Sequence, residues 1–246
     1  MRVDEISALP SAIDYALSES HNGHFIIEDF LEKEGYSSDC DSFTVDGELV
    51  FCSFNDQHFD PKAINPYTPA AFSWPSTMPQ WAQEELRSEL QRLMTLLNVK
   101  TGVYNIETRL CKNGKPYIME LSPRGGGNRL SEMMKYVSGQ DLIDSCVRAA
   151  VGDPIDEIHR PIYDGYWAEI ILHSECDGVF QSIEIDKTVE ERFLIEKDIW
   201  VKAGEKVQGF TGSNTTIGTL VLRFNTNEEI ICCLSNQETW LKIIVL

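Results

Sequence analysis

The sequence is short of basic residues and has no long apolar run. Lys and Arg number 21 against 39 Asp and Glu, a formal net charge of -18. No cluster of basic residues stands out, which argues against a nucleic-acid partner, because such proteins need a basic surface to displace counterions. No stretch approaches the roughly 20 apolar residues of a membrane span. The first ten residues lack the basic start and apolar run of an export signal. We therefore expect a cytoplasmic protein with neither a nucleic-acid nor a membrane partner.

Paired cysteine motifs are also lacking. The seven cysteines are odd in number and form no CxxC pair, so we expect reduced thiols in a cytosolic protein. With 246 residues and 42% apolar content, the chain is long enough to bury a sizeable core as one large domain or two smaller ones.

Apolar periodicity and turn residues predict helices and antiparallel strands in the first 155 residues. The helices are expected at 7–20, 81–97, from about 130, and 141–151. The strands are expected at 24–31, 36–45 and 48–54, and a strand pair at 101–121. Residues 55–80 carry five prolines and are expected to form a long loop.

The sequence changes character near residue 160, where short apolar segments alternate with glycines. Strands are expected at 166–173, 179–185, 199–201, 219–224 and 229–234. The pattern predicts an α+β protein with a first domain over 1–155 and a β-rich C-terminal subdomain over 156–246.

Glu107 and Glu120 flank an Asn113-Gly114 turn. A two-residue hairpin centred on that turn pairs residues whose numbers sum to 227, so it places the two glutamates directly opposite each other. Their Cβ atoms would then lie about 5 Å apart. Like charges so close are unfavourable without a cation or proton between them, and carboxylate oxygens suit Mg²⁺. The hairpin therefore predicts a metal site. A solvated surface ladder is the other structure typical of such a pair.

A glycine-rich segment, Ser122-Pro123-Arg124-Gly125-Gly126-Gly127-Asn128, follows the hairpin directly. Three glycines let backbone N–H groups approach an anion, and the helix expected from about Leu130 presents its positive end nearby. The alternative is a flexible connection with no ligand. Arg109 shares the predicted face of Glu107. The sequence leaves two roles open for it, structural counter-ion and ligand-binding group.

Three segments together resemble the ATP-grasp superfamily of carboxylate-amine and carboxylate-thiol ligases: HFIIEDFL, GVYNIETRLCKNGKPYIMELSPRGGG and GQDLIDSCVRAAVGDP. With the Pro-rich loop, the resemblance covers roughly residues 5–155. It implies the ATP-grasp fold, in which an antiparallel sheet with flanking helices cups Mg-ATP, with the β-rich C-terminal subdomain as a lid. Family members begin with a separate domain, a lysine-bearing strand and a glycine flap that this sequence does not contain. A complementing N-terminal polypeptide or a homodimer is therefore a partner to consider.

The resemblance also implies residue roles. Glu107 and Glu120 would hold Mg²⁺, and Arg124 would bind the transferred phosphate and the acyl-phosphate intermediate. The other nucleotide- and substrate-binding positions implied are Glu28, Asp29, Phe30 and Leu31, which would cup adenine, Met119, which would pack on the base, and Gly125, Gly126 and Asn128. By itself, Glu28 is equally typical of the polar face of an edge strand.

The implied reaction uses ATP and Mg²⁺ to activate a small-molecule carboxylate as an acyl phosphate, which an amine or similar nucleophile then attacks. The alternative is a truncated, non-catalytic remnant that binds a nucleotide or a partner, or dimerises.

Overall fold

The computed structural model describes residues 2–246, and the chain divides into two compact units, one ending at Glu32 and one running from Lys33 to Leu246. The division does not coincide with the boundary expected at residues 155 and 156, which stays a prediction. The first unit contains a short 3-10 helix, Ile6–Ala8, that leads into helix α1, Leu9–Glu19. The helix expected at 7–20 is confirmed.

The strand expected at 24–31 is wrong. These residues belong to no helix or strand of the described chain. The apolar side chains of Ile26 and Ile27 are 82% and 65% exposed. An apolar run stabilises a strand only where neighbouring strands take up its backbone hydrogen bonds and a core covers its side chains.

The second unit contains twelve strands. In chain order they are β1 Lys33–Val45, β2 Glu48–Cys52, β3 Asp56–Phe59, β4 Pro69–Trp74, β5 Gly102–Cys111, β6 Pro116–Ser122, β7 Tyr166–Leu172, β8 Gly178–Ile185, β9 Leu194–Ile199, β10 Lys206–Val207, β11 Gly218–Phe224 and β12 Leu241–Val245. Its helices are α2 Gln80–Leu96, α3 Leu130–Ser138, α4 Leu142–Val151, α5 Lys187–Phe193, α6 Asn227–Ser235 and α7 Gln237–Trp240, with a 3-10 turn at Ser213–Thr215.

Nine strands form the main sheet, in the order β6-β5-β1-β3-β4-β7-β11-β9, with β2 paired to β1. A small second sheet has the order β10-β8-β12. Every pair of neighbouring strands is antiparallel. The main sheet joins strands from both sides of residue 155, and the α+β fold expected from the sequence is confirmed.

Helices cover both faces of the main sheet. Helix α3 packs with Phe43, Phe72 and Val221 on one face. On the other face, α2 packs against Cys40 and Ile106, and α6 packs against alternate residues of β7. Odd-numbered and even-numbered residues of β7 enter different cores, as the two-residue period of a strand requires.

The Pro-rich segment 55–80 holds two strands of the main sheet, β3 and β4, so the prediction of a long loop is wrong. Its prolines do not interrupt these strands. Pro61 and Pro66 lie between them, Pro69 is the first residue of β4, and Pro75 follows its end. Proline is tolerated at strand ends because no internal ladder hydrogen bond is lost there.

The strand expected at 229–234 is wrong, because these residues belong to α6. The Thr226 hydroxyl accepts a hydrogen bond from the N–H of Glu229 at 3.3 Å and caps the helix. Ile230 and Cys233 are buried three residues apart, which is a helical spacing. The bounds of the strand expected at 199–201 are wrong, because β9 runs from Leu194 to Ile199 and shares only Ile199 with the prediction. No helix among the described residues is both long enough and apolar enough to cross a membrane.

Candidate functional site

The hairpin of β5 and β6 places Glu107 directly opposite Glu120, as the sequence predicted. The turn differs from the expected one. Gly114 N–H donates to Cys111 O at 2.8 Å, and Cys111 N–H donates to Lys115 O at 3.0 Å. The loop thus has three residues, 112–114, and its last one is Gly114 with φ +75°.

A bulge at Met119 corrects the register that this longer loop creates. Next to the loop, Leu110 pairs with Pro116 and Thr108 with Ile118, one residue away from the expected pairing. The ladder shifts between Thr108 and Glu107, so that Glu107 meets Glu120. One extra residue in the loop and one in the bulge therefore cancel.

The acidic row continues onto β1, where Asp39 lies opposite Glu107 and Asp41 lies opposite Asn105. Asn105 Nδ2 donates to Asp39 Oδ1 at 2.6 Å and to Asp41 Oδ1 at 3.2 Å. Sequence reasoning did not assign Asp39, Asp41 or Asn105 to the site. The signal was present as two aspartates two residues apart in a strand, which places both on one face.

Two acids of this row, Asp39 and Glu107, are partly shielded from water. Burial raises the pKa of Asp39 to about 6, although the hydrogen bond from Asn105 opposes the rise. Burial also raises the pKa of Glu107, which Arg109 lowers and Glu120 raises further. Arg109 Nη2 lies 3.7 Å from Glu107 Oε1, which fits the counter-ion role left open for it. A cation between the Glu107 and Glu120 carboxylates would offset the repulsion between their negative charges.

The carboxylate oxygens at this site fit a Mg²⁺ ion that is coordinated partly by the protein and partly by a bound ligand. Glu120 is exposed and the Glu107 side chain is 35% exposed, so carboxylate oxygens of both strands reach solvent. Ser122 Oγ donates to Glu120 Oε1 at 2.7 Å and orients that carboxylate. Among the described residues, no group of three or more His, Cys, Asp or Glu side chains forms a metal cage. Mg²⁺ typically uses one or two carboxylates and completes its shell with water and phosphate oxygens.

The glycine-rich segment lies against this row. Gly126 N–H donates to Asp41 Oδ1 at 2.9 Å, and Ser131 Oγ donates to Asp41 Oδ2. Helix α3 begins at Leu130, as expected. Asn128 and Arg129 both have positive φ, 51° and 69°, so the chain turns sharply before the helix. The N–H of Gly126 thus holds the segment to the sheet.

Arg124 is exposed and close to the acidic row. Its Nη1 donates to the carbonyl of Gly125 at 2.9 Å. Its positive charge also opposes the rise that burial causes in the pKa of Asp39 and of Asp41. The structure therefore brings Arg124 together with the row that holds Glu107 and Glu120.

The other predicted residues are Met119, the glycine segment and residues 28–31. Met119 is the bulge residue and is 40% exposed. Residues 28–31 belong to the first unit, where the Arg2 guanidinium lies 4.3 Å from the centre of the Phe30 ring. Their role in cupping adenine stays a prediction, as do the ligand contacts of Met119, Gly125 and Asn128.

A cleft of about 810 Å³ in the second unit is lined by none of the predicted site residues. Two histidines line it. His58 Nε2 lies 2.9 Å from Ser73 Oγ, and burial lowers the pKa of His58 to about 4. His173 Nε2 lies 3.1 Å from Asp60 Oδ2. These polar groups have partners within the protein, and the cleft is separate from the candidate site.

Comparison with known proteins identifies the family. The sequence profile of the ATP-grasp domain matches residues 4–132, more than half of the chain. Carnosine synthase 1 of Gallus gallus is 30% identical over 120 residues, which are 49% of this chain and 13% of that protein.

Two solved structures share the fold. The L-amino acid ligase of Bacillus licheniformis has a TM-score of 0.78 and 18% identity, over 100% of this chain and 62% of that chain. The biotin carboxylase domain of the Hydrogenobacter thermophilus 2-oxoglutarate carboxylase, solved with MgADP and bicarbonate, has a TM-score of 0.72 and 14% identity, over 98% and 52%. This chain thus spans less than two thirds of each of these relatives. It belongs to the ATP-grasp family.

Proposed function

We propose that this chain is an ATP- and Mg²⁺-dependent ligase module that activates a carboxylate as an acyl phosphate for attack by an amine or similar nucleophile. The observation that carries the proposal is the pairing of Glu107 with Glu120 across the hairpin, beside Arg124. Two facing carboxylates and one exposed guanidinium supply what phosphoryl transfer demands, which is positioning and neutralisation of phosphate charge.

The residue roles follow from the donor types. Glu107 and Glu120 hold Mg²⁺, which when bound neutralises charge on the β and γ phosphates. The planar Arg124 guanidinium matches phosphate oxygens two at a time. The family resemblance supports the other roles, in which residues 28–31 and Met119 contact the adenine base and Gly125, Gly126 and Asn128 face the carboxylate substrate.

The reaction consists of two displacements. A carboxylate oxygen of the substrate bonds to the γ phosphorus, and ADP leaves. The amine nitrogen then bonds to the acyl carbon, phosphate leaves, and the nitrogen loses a proton. No protein nucleophile is required, so the chain's task is to bind, orient and exclude water.

The comparisons support this class of activity. Proteins named carnosine synthase and L-amino acid ligase resemble this chain in sequence or fold, and a carboxylase domain of the same fold was solved with MgADP. The substrates we propose are accordingly a small-molecule carboxylate, of which an amino acid is the first candidate, and an amine.

Hydroxylamine trapping tests the activity. Hydroxylamine attacks an acyl phosphate and gives a stable hydroxamate, so the unknown amine is not needed. We expect hydroxamate formation in step with phosphate release when the chain is incubated with MgATP, hydroxylamine and a panel of amino acids. Arg124→Ala is expected to abolish both products, and Arg92→Ala, which removes an exposed arginine of α2, is the matched control. Phosphate release without any hydroxamate would contradict the acyl-phosphate route.

A second candidate function, a nucleotide- or partner-binding module that dimerises, is favoured by the surface of α4. Ile143, Val147 and Val151 are four residues apart and 45%, 59% and 67% exposed, which forms an uncovered apolar stripe. Sedimentation tests this candidate. A dimer that Val147→Glu converts to a monomer would support it, and a wild-type monomer with hydroxamate activity would contradict it.

A further inference from the structure

Asp41 lies on β1 with no exposed surface, and the hydrogen bonds to it come from the segment that follows Arg124 and from β5. Gly126 N–H and Asn105 Nδ2 donate to Oδ1, and Ser131 Oγ donates to Oδ2. The carboxylate therefore ties the glycine segment, the start of α3 and a neighbouring strand to one point on the sheet.

The packing of Gly126 shows how closely the segment approaches the sheet. A Cβ on Gly126 would lie 2.5 Å from Leu130 Cδ1 and 2.8 Å from Asn105 Nδ2, closer than any side chain allows. A Cβ on Gly125 would lie 2.5 Å from Ser131 Oγ. By contrast, a Cβ on Gly127 would meet nothing within 4 Å. The close approach thus centres on the residues that contact Asp41 or its partners.

A run of three glycines has large conformational freedom, and a contact that fixes it must overcome that entropy. Hydrogen bonds to a carboxylate are about twice as strong as those between neutral groups. Arg124 lies two residues before Gly126 and one before Gly125, whose carbonyl its own Nη1 contacts. The position of the Arg124 backbone is therefore set within two residues of the Asp41 contact.

We propose that Asp41 is a positioning residue: its carboxylate fixes the glycine segment to the sheet and thereby sets where the Arg124 guanidinium meets the phosphates of the bound nucleotide. This inference rests on the proposed function for the part that concerns phosphate. The part that concerns the segment itself is independent of any ligand.

A matched control exists on β3. Asp56 is also a buried aspartate of the main sheet whose carboxylate holds a neighbouring segment. It accepts from Ser76 Oγ at 2.7 Å and from Thr77 N–H at 2.9 Å. Removal of the Asp41 carboxylate leaves one backbone N–H and one hydroxyl without this acceptor, and removal of the Asp56 carboxylate leaves one backbone N–H and two hydroxyls without theirs. Only Asp41 contacts the glycine segment. Asp41→Ala and Asp56→Ala therefore separate positioning from general loss of stability.

Limited trypsin digestion tests the ligand-independent part. Trypsin cuts after Arg124 only when the segment opens, and mass spectrometry measures that one cut. We expect Asp41→Ala to speed this cut roughly tenfold, the loss of about one charge-assisted hydrogen bond. We expect Asp56→Ala to leave the rate within about twofold. Equal rates in the two variants would overturn the proposal.

The conservative variant Asp41→Asn keeps an oxygen that accepts from Gly126 N–H. Because the charge is lost, it is expected to be cut at a rate between those of the wild type and Asp41→Ala, and it serves as the second variant if Asp41→Ala fails to fold. The double variant Asp41→Asn, Ser131→Ala also lacks the contact between the Ser131 hydroxyl and residue 41. We expect the double variant to cut faster than Asp41→Asn, and an unchanged rate would count against the proposal.

Calorimetric titration with Mg·AMPPNP tests the link to Arg124. We expect Asp41→Ala and Arg124→Ala each to raise the dissociation constant roughly tenfold, and the double variant to bind no more weakly than Arg124→Ala. Additive losses would mean that Asp41 does not act through Arg124. If the wild type does not bind Mg·AMPPNP, the phosphate part of the proposal fails together with the proposed function. The trypsin result then still decides whether Asp41 holds the segment.

Discussion

Two acids with no exposed surface, Asp41 on β1 and Glu169 on β7, lie on the face of the main sheet that α3 covers, and they have opposite surroundings. Both carboxylate oxygens of Asp41 accept hydrogen bonds, whereas neither oxygen of Glu169 has a hydrogen-bond partner. Burial raises the pKa of both groups. At Asp41 the three donors oppose that rise, while at Glu169 they are absent and its pKa lies well above the ordinary range.

Arg129, whose positive charge lowers the pKa of Glu169, forms ion pairs with two other acids. Arg129 Nη1 lies 2.7 Å from Glu196 Oε1, and its Nε lies 2.7 Å from Glu132 Oε2. Burial thus favours the protonated form of Glu169, whereas Asp41 is a buried acid supplied with hydrogen-bond donors. The part of the sheet around β1 holds charge and a glycine-rich segment, whereas the part around β7 is packed as core.

The largest expected effect is at Glu169. Glu169→Lys places an ammonium group in a buried position beside Arg129, with no acid free to pair with it. We expect a loss of about 3–5 kcal/mol in the free energy of unfolding, measured by urea at pH 7. Glu184→Lys, at an exposed position of β8, is the control and should change stability by less than about 0.5 kcal/mol. Equal losses would show that Glu169 is not in a charge-excluding core.

The next effect concerns the glycine segment that contacts Asp41 of β1. Gly126→Ala introduces a Cβ that overlaps Leu130 and Asn105, and we expect it to cost about 1–3 kcal/mol. Gly127→Ala meets open space with no positive φ, so it should be neutral or slightly stabilising. Thermal unfolding of the two variants measures the difference. If both are equally harmful, flexibility rather than close packing explains the glycines.

The pH dependence of stability tests the protonation of Glu169. The pKa of Glu169 is higher in the folded than in the unfolded protein. Its contribution to the free energy of unfolding is therefore fully present below the ordinary pKa of 4.5 and is lost as pH rises toward the folded pKa. Glu169→Gln does not titrate. We therefore expect its stability relative to the wild type to increase by up to about 1.4 kcal/mol per pH unit above pH 4.5. Urea unfolding between pH 4.5 and 7 measures this, and a constant difference would contradict a neutral Glu169.

The smallest effect concerns α6, which packs on β7 from the other face. Thr226→Ala removes the N-cap hydroxyl and should destabilise the protein by about 1 kcal/mol, whereas Thr226→Ser keeps the hydroxyl and should be close to neutral. Urea unfolding with circular dichroism detection compares them. Equal stability of the Ala and Ser variants would mean that this cap contributes nothing to the helix.

The sequence predicted the hairpin for a reason that was only half right. Asn113-Gly114 favours a two-residue turn, but Lys112 joins the loop, and this would have shifted every pair by one residue. The bulge at Met119 restores the pair of Glu107 and Glu120. A bulge depends on packing across the whole sheet, so a local pattern does not reveal it.

Other elements depend on contacts between distant segments. Residues 24–31 have the apolar composition of a strand but lie outside every strand of the described chain, and residues 229–234 have it within a capped helix. The partners of Asp41 come from residues 64 to 90 positions away, so only the pair of aspartates on one face was visible beforehand. The sequence thus predicted the pairing of Glu107 with Glu120, which depends on one hairpin, while the roles of Glu107, Glu120 and Arg124 stay predictions.

Calorimetric titration of wild type and Glu120→Gln with MgATP tests the central claim most directly. We predict Mg²⁺-dependent binding by the wild type and at least roughly tenfold weaker binding by Glu120→Gln, since one of two charged oxygen ligands is lost. The free energy of unfolding of Glu120→Gln should differ from that of the wild type by less than about 0.5 kcal/mol. The same holds for the exposed control Glu48→Gln, which should also bind MgATP like the wild type. Equal MgATP affinity in wild type and Glu120→Gln would contradict a metal-nucleotide site at this hairpin.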